Sequence, residues 1–382
     1  MSELIPVFRP NYDDAETAAV TEVLNSGWIG LGPKTEKFEQ EFAEYIGCKF
    51  AVALNSATSA LHLALIVAGV GPGDEVILPA LTFASTAHAV LYVGATPVLA
   101  DIKPDTLCID PEDIKKKLTL KTKVIMPVHY GGHPAELTDI IKIANKKIAI
   151  IEDAAHACGS FYKGIKIGNI TPLTCFSFHA VKNLATGDGG MITTNNKTQA
   201  ERLRQLRWLG ISKDTWKRIE KIKTSEKFRV KGYGWYYEIH ELGYKYHMND
   251  IAAAIGIAQL AKLEKSNEKR RMLARRYTKK LACLEEVVLP TVYDHVVSAQ
   301  HNYVIQAKKR DELHLYLRNK NISTGVHYMP IHMHPLYKKM AKTSKLPVTE
   351  KVWRNLLTLP LYPQLTSQEQ DKIIKEIWRF YN

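Results

Sequence analysis

Short apolar runs recur along the first half of the chain, and stretches with helical spacing separate them. The strand-like runs cover residues 51–54, 75–78, 96–100, 124–128, 148–151, 175–178 and 191–194. Apolar runs without polar alternation are typical of strands that are covered on both faces. The stretches between them, such as residues 61–68, have the apolar spacing of a helix. The pattern therefore predicts an α/β fold built on a mostly parallel central sheet.

The pattern changes after about Met248. A long helical pattern follows, and strand-like runs return from Val287 through VIQAK to GVHYMP. We predict a large domain over residues 1–250 and a smaller C-terminal α/β domain over residues 251–382. No long linker, low-complexity tract or internal repeat interrupts the chain.

One lysine stands between a strand-like run and a glycine-dense turn. Lys182 lies in FSFHAVKNLATGDGGMITT, residues 176–194. An ordinary lysine amine has a pKa of ~10.4, so nucleophilic chemistry at neutral pH needs burial or a neighbouring cation to free the amine. Taken alone, Lys182 is best interpreted as an exposed loop lysine, since lysine is mostly a surface residue.

Two acids end the apolar run at residues 148–151. Glu152 and Asp153 follow it in IAIIEDAAHACG, and the carboxyl ends of parallel strands face the ligand crevice of an α/β sheet. A carboxylate at this position either caps the next helix or binds a protonated ring nitrogen, as in pyridoxal phosphate enzymes.

Small polar residues lead into a helical pattern in NSATSALHLAL, residues 55–65. The free N–H groups of a helix N-terminus form a phosphate site, to which the hydroxyl of Thr58 adds a donor. Ser177, five residues before Lys182, is a second candidate hydroxyl. Phe83 follows the strand-like EVILP and offers an aromatic face to a planar ring, although phenylalanine is more often part of the core.

These segments, with others, resemble the nucleotide-sugar aminotransferases of the DegT type, which are fold-type I pyridoxal phosphate enzymes. The resemblance covers nearly the whole chain, from SGWIGLGPKTEKFEQEFAEYIG through GDEVILPALTFASTAHAV, EDAAHACGSFYKGIKIG and SFHAVKNLATGDGG to ELGYKYHMNDIAAAIGIAQL and GVHYMPIHMHPLY. Among such enzymes the chain looks most like those that transaminate a 4-keto sugar on UDP, such as the 4-amino-4-deoxy-L-arabinose type.

The resemblance implies roles for individual residues. Cofactor-binding roles fall on Ala57, Thr58, Phe83, Asp153, His156, Ser177, Lys182 and Lys245, and substrate-binding roles on His327 and His332. Lys182 would bind pyridoxal phosphate covalently and Asp153 would pair with its ring nitrogen, which makes these two the catalytic residues. Phe83 would stack on the ring with His156 beside it, while Ala57, Thr58 and Ser177 would hold the phosphate.

Lys245 lies in GYKYH, where many relatives have an asparagine that reaches the phosphate of the neighbouring subunit. We therefore expect a homodimer with shared active sites. A lysine would reach the phosphate as a point charge.

The implied reaction is a two-stage transamination. Glutamate gives its amino group to the cofactor and leaves as 2-oxoglutarate, and the same steps run backwards onto the ketone of a sugar nucleotide. Lys182 would act as covalent partner and then as general acid/base. The related dehydratases carry histidine where this chain has Lys182. Amination at C3 of a dTDP-linked 3-keto sugar and a non-catalytic cofactor-binding regulator stay as alternatives.

Composition limits the other classes of function. The 382 residues are 46% hydrophobic and 24% charged, and no apolar run approaches the ~20 residues of a membrane span. The N-terminus lacks a signal pattern, and five scattered cysteines fit a reducing compartment, so we expect a cytoplasmic protein without a membrane partner.

A formal net charge of +13 raises the alternative of a nucleic-acid-binding protein. The basic residues concentrate at residues 213–231 and 262–280, without a zinc-finger, RNA-binding or Walker A signature. We interpret the second cluster as a solvated helix face and expect no nucleic-acid partner. A salt-dependent gel shift would detect one.

Three histidines in GVHYMPIHMHP, His327, His332 and His334, resemble a metal-ligand set. No carboxylate or cysteine is interleaved with them, so we expect no metal. His129 and His133 in VHYGGHP are interpreted as structural loop histidines.

Overall fold

The computed structural model describes residues 4–212, 237–342 and 345–382. The basic segment at residues 213–231 lies outside the described residues. Within the described residues, no helix is long and apolar enough to cross a membrane, and no group of three or more His, Cys, Asp or Glu residues is arranged to hold a metal ion.

The helices and strands are numbered here in chain order. The helices are α1 (Asp14–Ser26), α2 (Pro33–Ile46), α3 (Ala57–Val67), α4 (Ala84–Tyr92), α5 (Pro111–Lys117), α6 (Leu137–Ala144), α7 (Lys197–Leu206), α8 (Asp250–Ala261), α9 (Leu263–Leu281), α10 (Arg310–Asn319), α11 (Pro335–Met340), α12 (Pro347–Val352) and α13 (Ser367–Tyr381). The strands are β1 (Phe50–Leu54), β2 (Glu75–Pro79), β3 (Thr96–Ala100), β4 (Thr122–Ile125), β5 (Ala149–Asp153), β6 (Phe161–Tyr162), β7 (Ile165–Lys166), β8 (Leu173–Ser177), β9 (Gly190–Thr194), β10 (Val287–Val288), β11 (Val296–Val297), β12 (Tyr303–Ala307) and β13 (Leu356–Leu359).

A seven-stranded sheet with the order β1-β9-β8-β5-β4-β2-β3 forms the centre of the fold. Neighbouring strands from β8 to β3 are parallel, whereas β9 is antiparallel to both β8 and β1. A loop without a helix joins β8 to β9, and such a connection reverses the chain because a parallel pair needs a crossover. The predicted α/β fold with a mostly parallel sheet is thus confirmed.

One predicted strand is placed two to three residues too late. The apolar pattern predicts residues 124–128, whereas β4 covers Thr122–Ile125. Pro127 lacks the N–H group that a ladder needs, and pairing resumes only as a single bridge between Val128 and Asp153.

A second, three-stranded antiparallel sheet with the order β10-β12-β13 lies in the C-terminal part. Its apolar residues pack with those of α9, α10 and α13, and the N-terminal Ile5 joins the same core. Ile5 also exchanges backbone hydrogen bonds with Asn321 and Ser323. The division into domains at residue 250 stays a prediction.

Candidate active site

A cavity of about 330 Å³ opens at the carboxyl ends of β5 and β8. Eight of the residues singled out from the sequence line it, namely Ala57, Thr58, Phe83, Asp153, His156, Ser177, Lys182 and His327. They come from segments far apart in the chain, which the parallel sheet brings to one edge.

Lys182 lies in the loop between β8 and β9, where its N–H group donates to the carbonyl oxygen of His179 at 2.9 Å. Its side chain reaches the cavity, and burial lowers the pKa of its amine to about 8, although the charge of Asp153 raises that pKa in part. An amine with this pKa is partly neutral near physiological pH, as a nucleophile must be. The interpretation of Lys182 as an exposed loop lysine does not fit this placement.

Asp153 ends β5 and is held by two donors. The hydroxyl of Thr86 donates to Oδ2 at 2.8 Å, and the N–H group of Ala155 donates to Oδ1 at 3.1 Å. Thr82 is bonded in turn to the Thr86 hydroxyl at 2.7 Å. Burial raises the pKa of Asp153 in spite of these bonds, because it disfavours the charged carboxylate. A cation bound next to Asp153 in the cavity would offset this effect and favour the charged form.

Glu152, the neighbouring acid, points to the other face of the strand. It is fully buried and accepts from His129 at 2.7 Å, Thr171 at 2.5 Å and Thr174 at 2.9 Å. The Nδ1 atom of His129 accepts from the N–H group of Ala135, so the proton donated to Glu152 is on Nε2. The structure thus places one acid in the cavity and the other in a buried network behind it, with His129 in the structural role expected from the sequence.

The N-terminus of α3 forms one end of the cavity. Ser56 caps the helix by accepting from the N–H group of Ser59 at 3.1 Å, and helix geometry leaves the N–H groups of Ala57 and Thr58 without intrahelical acceptors. Gly190 packs directly behind this turn, since a Cβ there would lie 2.4 Å from the carbonyl group of Ser56. The end of the cavity is therefore suited to an anion.

Aromatic rings and a histidine form another part of the cavity wall. Phe83 is 58% exposed and lies 5.6 Å from the ring of Tyr328, so it is not a core residue. The Nδ1 atom of His156 accepts from the N–H group of Gly131 at 3.2 Å, and its Nε2–H group donates to the hydroxyl of Tyr328 at 3.0 Å. Burial and the nearby charge of Lys182 hold the pKa of His156 well below its usual range.

Sequence reasoning missed Thr86 and Tyr328. Thr86 lies 67 residues before Asp153, and nothing local marks it as a partner of that carboxylate. Tyr328 directly follows His327, but the sequence motif singled out only the histidine.

Two of the predicted site residues do not line the cavity. Lys245 is exposed, and its ammonium group lies 3.4 Å from the centroid of the Trp208 ring. His332 lies in a 3-10 turn with its Nε2 atom 3.5 Å from Glu350, and it is not among the residues that line the cavity. In a single chain the roles of Lys245 and His332 stay predictions.

The residues in the cavity fit pyridoxal phosphate. An amine is present for its aldehyde, a carboxylate for its ring nitrogen, an aromatic face for its ring and a helix N-terminus for its phosphate. All four groups line the same cavity, and hydrogen bonds hold Asp153 and the first turn of α3 in place. The lining therefore has the chemistry that the cofactor requires.

Comparisons with known proteins identify the family of the chain. Residues 10–378 match the model of the DegT/DnrJ/EryC1/StrS aminotransferase family. The chain is 40% identical to the spore coat polysaccharide biosynthesis protein SpsC of Bacillus subtilis over 98% of this chain and 97% of that protein. Its fold is similar to that of S. venezuelae DesV, solved in complex with a ketimine intermediate, with a TM-score of 0.90 and 33% identity over 100% of this chain and 99% of DesV.

A second solved structure, Spr1654 from Streptococcus pneumoniae in its PLP-form, has a TM-score of 0.88 and 32% identity over 97% of each chain. A family match over almost the whole chain, together with a fitting cavity, establishes both the fold and the cofactor. The chain therefore belongs to the DegT/DnrJ/EryC1/StrS family and is a pyridoxal phosphate-dependent sugar aminotransferase.

Proposed function

We propose that the protein moves an amino group from glutamate to a keto-sugar nucleotide, at C4 of a UDP- or GDP-linked 4-keto sugar. The observation that carries this proposal is that the cavity joins a partly neutral lysine amine, Lys182, to a buried carboxylate, Asp153. The choice of a 4-keto sugar on UDP rests on the resemblance of the motifs, including GYKYH with Lys245. The five cysteines are unpaired, which supports a cytoplasmic reaction.

The protein side of the chemistry follows from the positions of the groups. When bound, pyridoxal phosphate supplies a ring that accepts electrons from a carbon losing its proton. The free amine of Lys182 would take that proton and return it to a neighbouring carbon, as general base and then general acid. Asp153 keeps a negative charge opposite the ring nitrogen, held by Thr86 and by the backbone of Ala155.

Other groups bind and orient. The N–H groups of Ala57 and Thr58, with the hydroxyl of Ser177, hold the phosphate. Phe83 and His156, which line the same cavity, would hold the ring. His327 lines the cavity, and its Nδ1 atom is bonded to the Thr358 hydroxyl at 2.8 Å. We assign it to substrate binding.

A substrate panel tests the proposed activity. The holoenzyme is incubated with glutamate and with UDP-, GDP- and dTDP-linked 4-keto and 3-keto sugars, and products are identified by mass spectrometry with 2-oxoglutarate release as a second readout. We expect the fastest amination with a UDP- or GDP-linked 4-keto sugar. A preference for a dTDP-linked 3-keto sugar would support the alternative position, and no turnover with any member would favour the non-catalytic regulator.

The dimer forms a second part of the proposal. Lys245 is exposed and does not line the cavity of its own chain, although its backbone lies beside Asn55, just before α3. We assign its ammonium group to the phosphate of the neighbouring subunit in an isologous dimer. Both sites would then form only on association.

Subunit mixing tests this assignment. Inactive Lys182→Ala and Lys245→Glu variants are combined under conditions that let subunits exchange, and exchange is checked with differently tagged chains. One site of each mixed dimer carries both changes and the other carries neither, so up to about half of its sites regain activity. No recovery after proven exchange, or full activity of a monomer, contradicts the shared site.

A further inference from the structure

The side chain that follows Lys182 in the sequence is buried and fully hydrogen-bonded. Asn183 donates through Nδ2 to Oδ1 of Asn267 and to the carbonyl oxygen of Ala299, both at 2.8 Å. Its Oδ1 atom is 3.0 Å from Nδ1 of His301. Since an amide oxygen can only accept, the imidazole is the donor in this third bond. The lysine loop is thus anchored to α9 and to the segment that precedes β12.

The same cluster reaches the turn that carries His156. Nδ2 of Asn267 donates to the carbonyl oxygen of Cys158 at 3.0 Å. The ring of His301 packs on that of His156, with centroids 4.4 Å apart. A Cβ on Gly159 would lie only 2.4 Å from Nδ2 of Asn267, so the chain passes as close to this amide as a glycine allows. One hydrogen-bond network therefore supports both the β8–β9 loop, which carries Lys182, and the part of the cavity wall formed by His156.

We propose that Asn183 is a positioning residue, which holds the amine of Lys182 at the reacting end of the cofactor and orients His301 against His156. This inference rests on the proposed role of Lys182. A long, flexible lysine side chain on an unsupported loop would sample many positions, whereas a buried and fully satisfied polar network rigidifies its surroundings. Misplacement of a reacting group by about 1 Å costs on the order of 10²-fold in rate.

Covalent capture of the cofactor measures this positioning without turnover. Cofactor-free protein is mixed with pyridoxal phosphate, and the visible absorption of the covalently bound form is followed from about pH 6 to pH 9, the range that brackets the pKa of the Lys182 amine, about 8. The variants are Asn183→Ala, and the pair His301→Leu and His301→Gln. The glutamine amide retains a donor for Asn183, whereas leucine does not.

A matched control separates positioning from a general loss of stability. Gln370 is also fully buried and hydrogen-bonded, to the carbonyl oxygen of Leu273 and to Arg276, but it lies in α13, away from the cavity. Gln370→Ala should lower the melting temperature and leave capture unchanged.

We expect Asn183→Ala and His301→Leu to slow capture by about 10- to 100-fold, and His301→Gln to keep most of the wild-type rate. In Asn183→Ala the midpoint of the pH profile should move upward, because a loosened loop admits water to the amine.

Three results would overturn the proposal. A folded Asn183→Ala variant with the wild-type rate and pH profile removes the positioning role. Equal losses in the two His301 variants remove the role of the hydrogen bond, and this pair decides the matter if Asn183→Ala does not fold. Capture that persists in Lys182→Ala would refute the role of Lys182 itself, and with it the premise, by a result distinct from the other two.

Discussion

Replacing Gly190 with alanine probes the phosphate end of the cavity. The new Cβ would lie 2.4 Å from the carbonyl carbon and oxygen of Ser56 and 2.7 Å from the nitrogen of Ala57, whereas ordinary contact begins at 3.4 Å. These are backbone atoms of the first turn of α3, so the turn has to shift by about 1 Å for contact to be restored. The N–H groups that face the phosphate shift with it.

The expected loss of cofactor affinity follows from the strength of one hydrogen bond between an N–H group and the phosphate. Loss of one hydrogen bond to a charged group costs about 1.5–3 kcal/mol, which corresponds to roughly a 10- to 100-fold weaker Kd for pyridoxal phosphate. Overpacking should also lower the free energy of unfolding by about 1–3 kcal/mol. Titration of the cofactor-free variant, followed by visible absorption, measures the first effect, and urea unfolding measures the second.

Two controls make the measurement specific. Pyridoxal lacks the phosphate, so its Kd should be almost unchanged in Gly190→Ala. Gly71→Ala adds a Cβ with no heavy atom within 4 Å and should change neither quantity. An unchanged Kd for pyridoxal phosphate, or an equal loss for pyridoxal, would refute the assignment of the phosphate to the α3 N-terminus.

Three further predictions concern the two central groups. Lys182→Ala should lose the visible absorption of the covalently bound cofactor and reduce turnover by at least about 10³-fold, and a variant that kept both would disprove the role of the lysine. Asp153→Asn should keep the fold by circular dichroism but lower kcat by on the order of 10²-fold, because a neutral amide cannot stabilise a cationic ring nitrogen; a near-normal kcat would count against it. In the cofactor-free protein the pKa of Lys182 is about 8, below the ordinary lysine value of 10.5. In the pH window between these two values the unfolded chain binds more protons than the folded chain, so the free energy of unfolding should rise with pH. Urea unfolding at both ends of the window should show a gain of about 1–3 kcal/mol that is absent in Lys182→Met; an equal gain in the variant would contradict the buried amine.

Much of the fold could be predicted from the local pattern of apolar and polar residues. The runs at residues 75–78 and 96–100 correspond to β2 and β3, and the polar-to-apolar change near residue 57 marks the start of α3. Strands covered on both faces must be continuously apolar, and helix starts need capping side chains. Both features therefore depend on residues that are neighbours in the sequence. Lys182 and Asp153 were site candidates for the same reason, because each follows such a run.

The residues that contact Lys182 and Asp153 could not be predicted in this way. Thr86 meets Asp153 only because β2 and β5 lie on either side of β4 in the sheet. Likewise, strand alternation directs Glu152 into a buried network instead of the cavity, and the loop after β8 reverses β9 instead of crossing over. Strand order depends on which long-range packing buries the most apolar surface, and no short segment contains that information.

Local sequence pattern therefore specifies the kinds of chemical groups available and the strands that carry them. Which of these groups meet, and with that the pKa of Lys182, depends on the packing of distant segments. The amine of Lys182 is partly neutral because elements distant in the chain close around it and remove water. That desolvation is a property of the packed whole, since an isolated segment around Lys182 would leave its amine hydrated and charged.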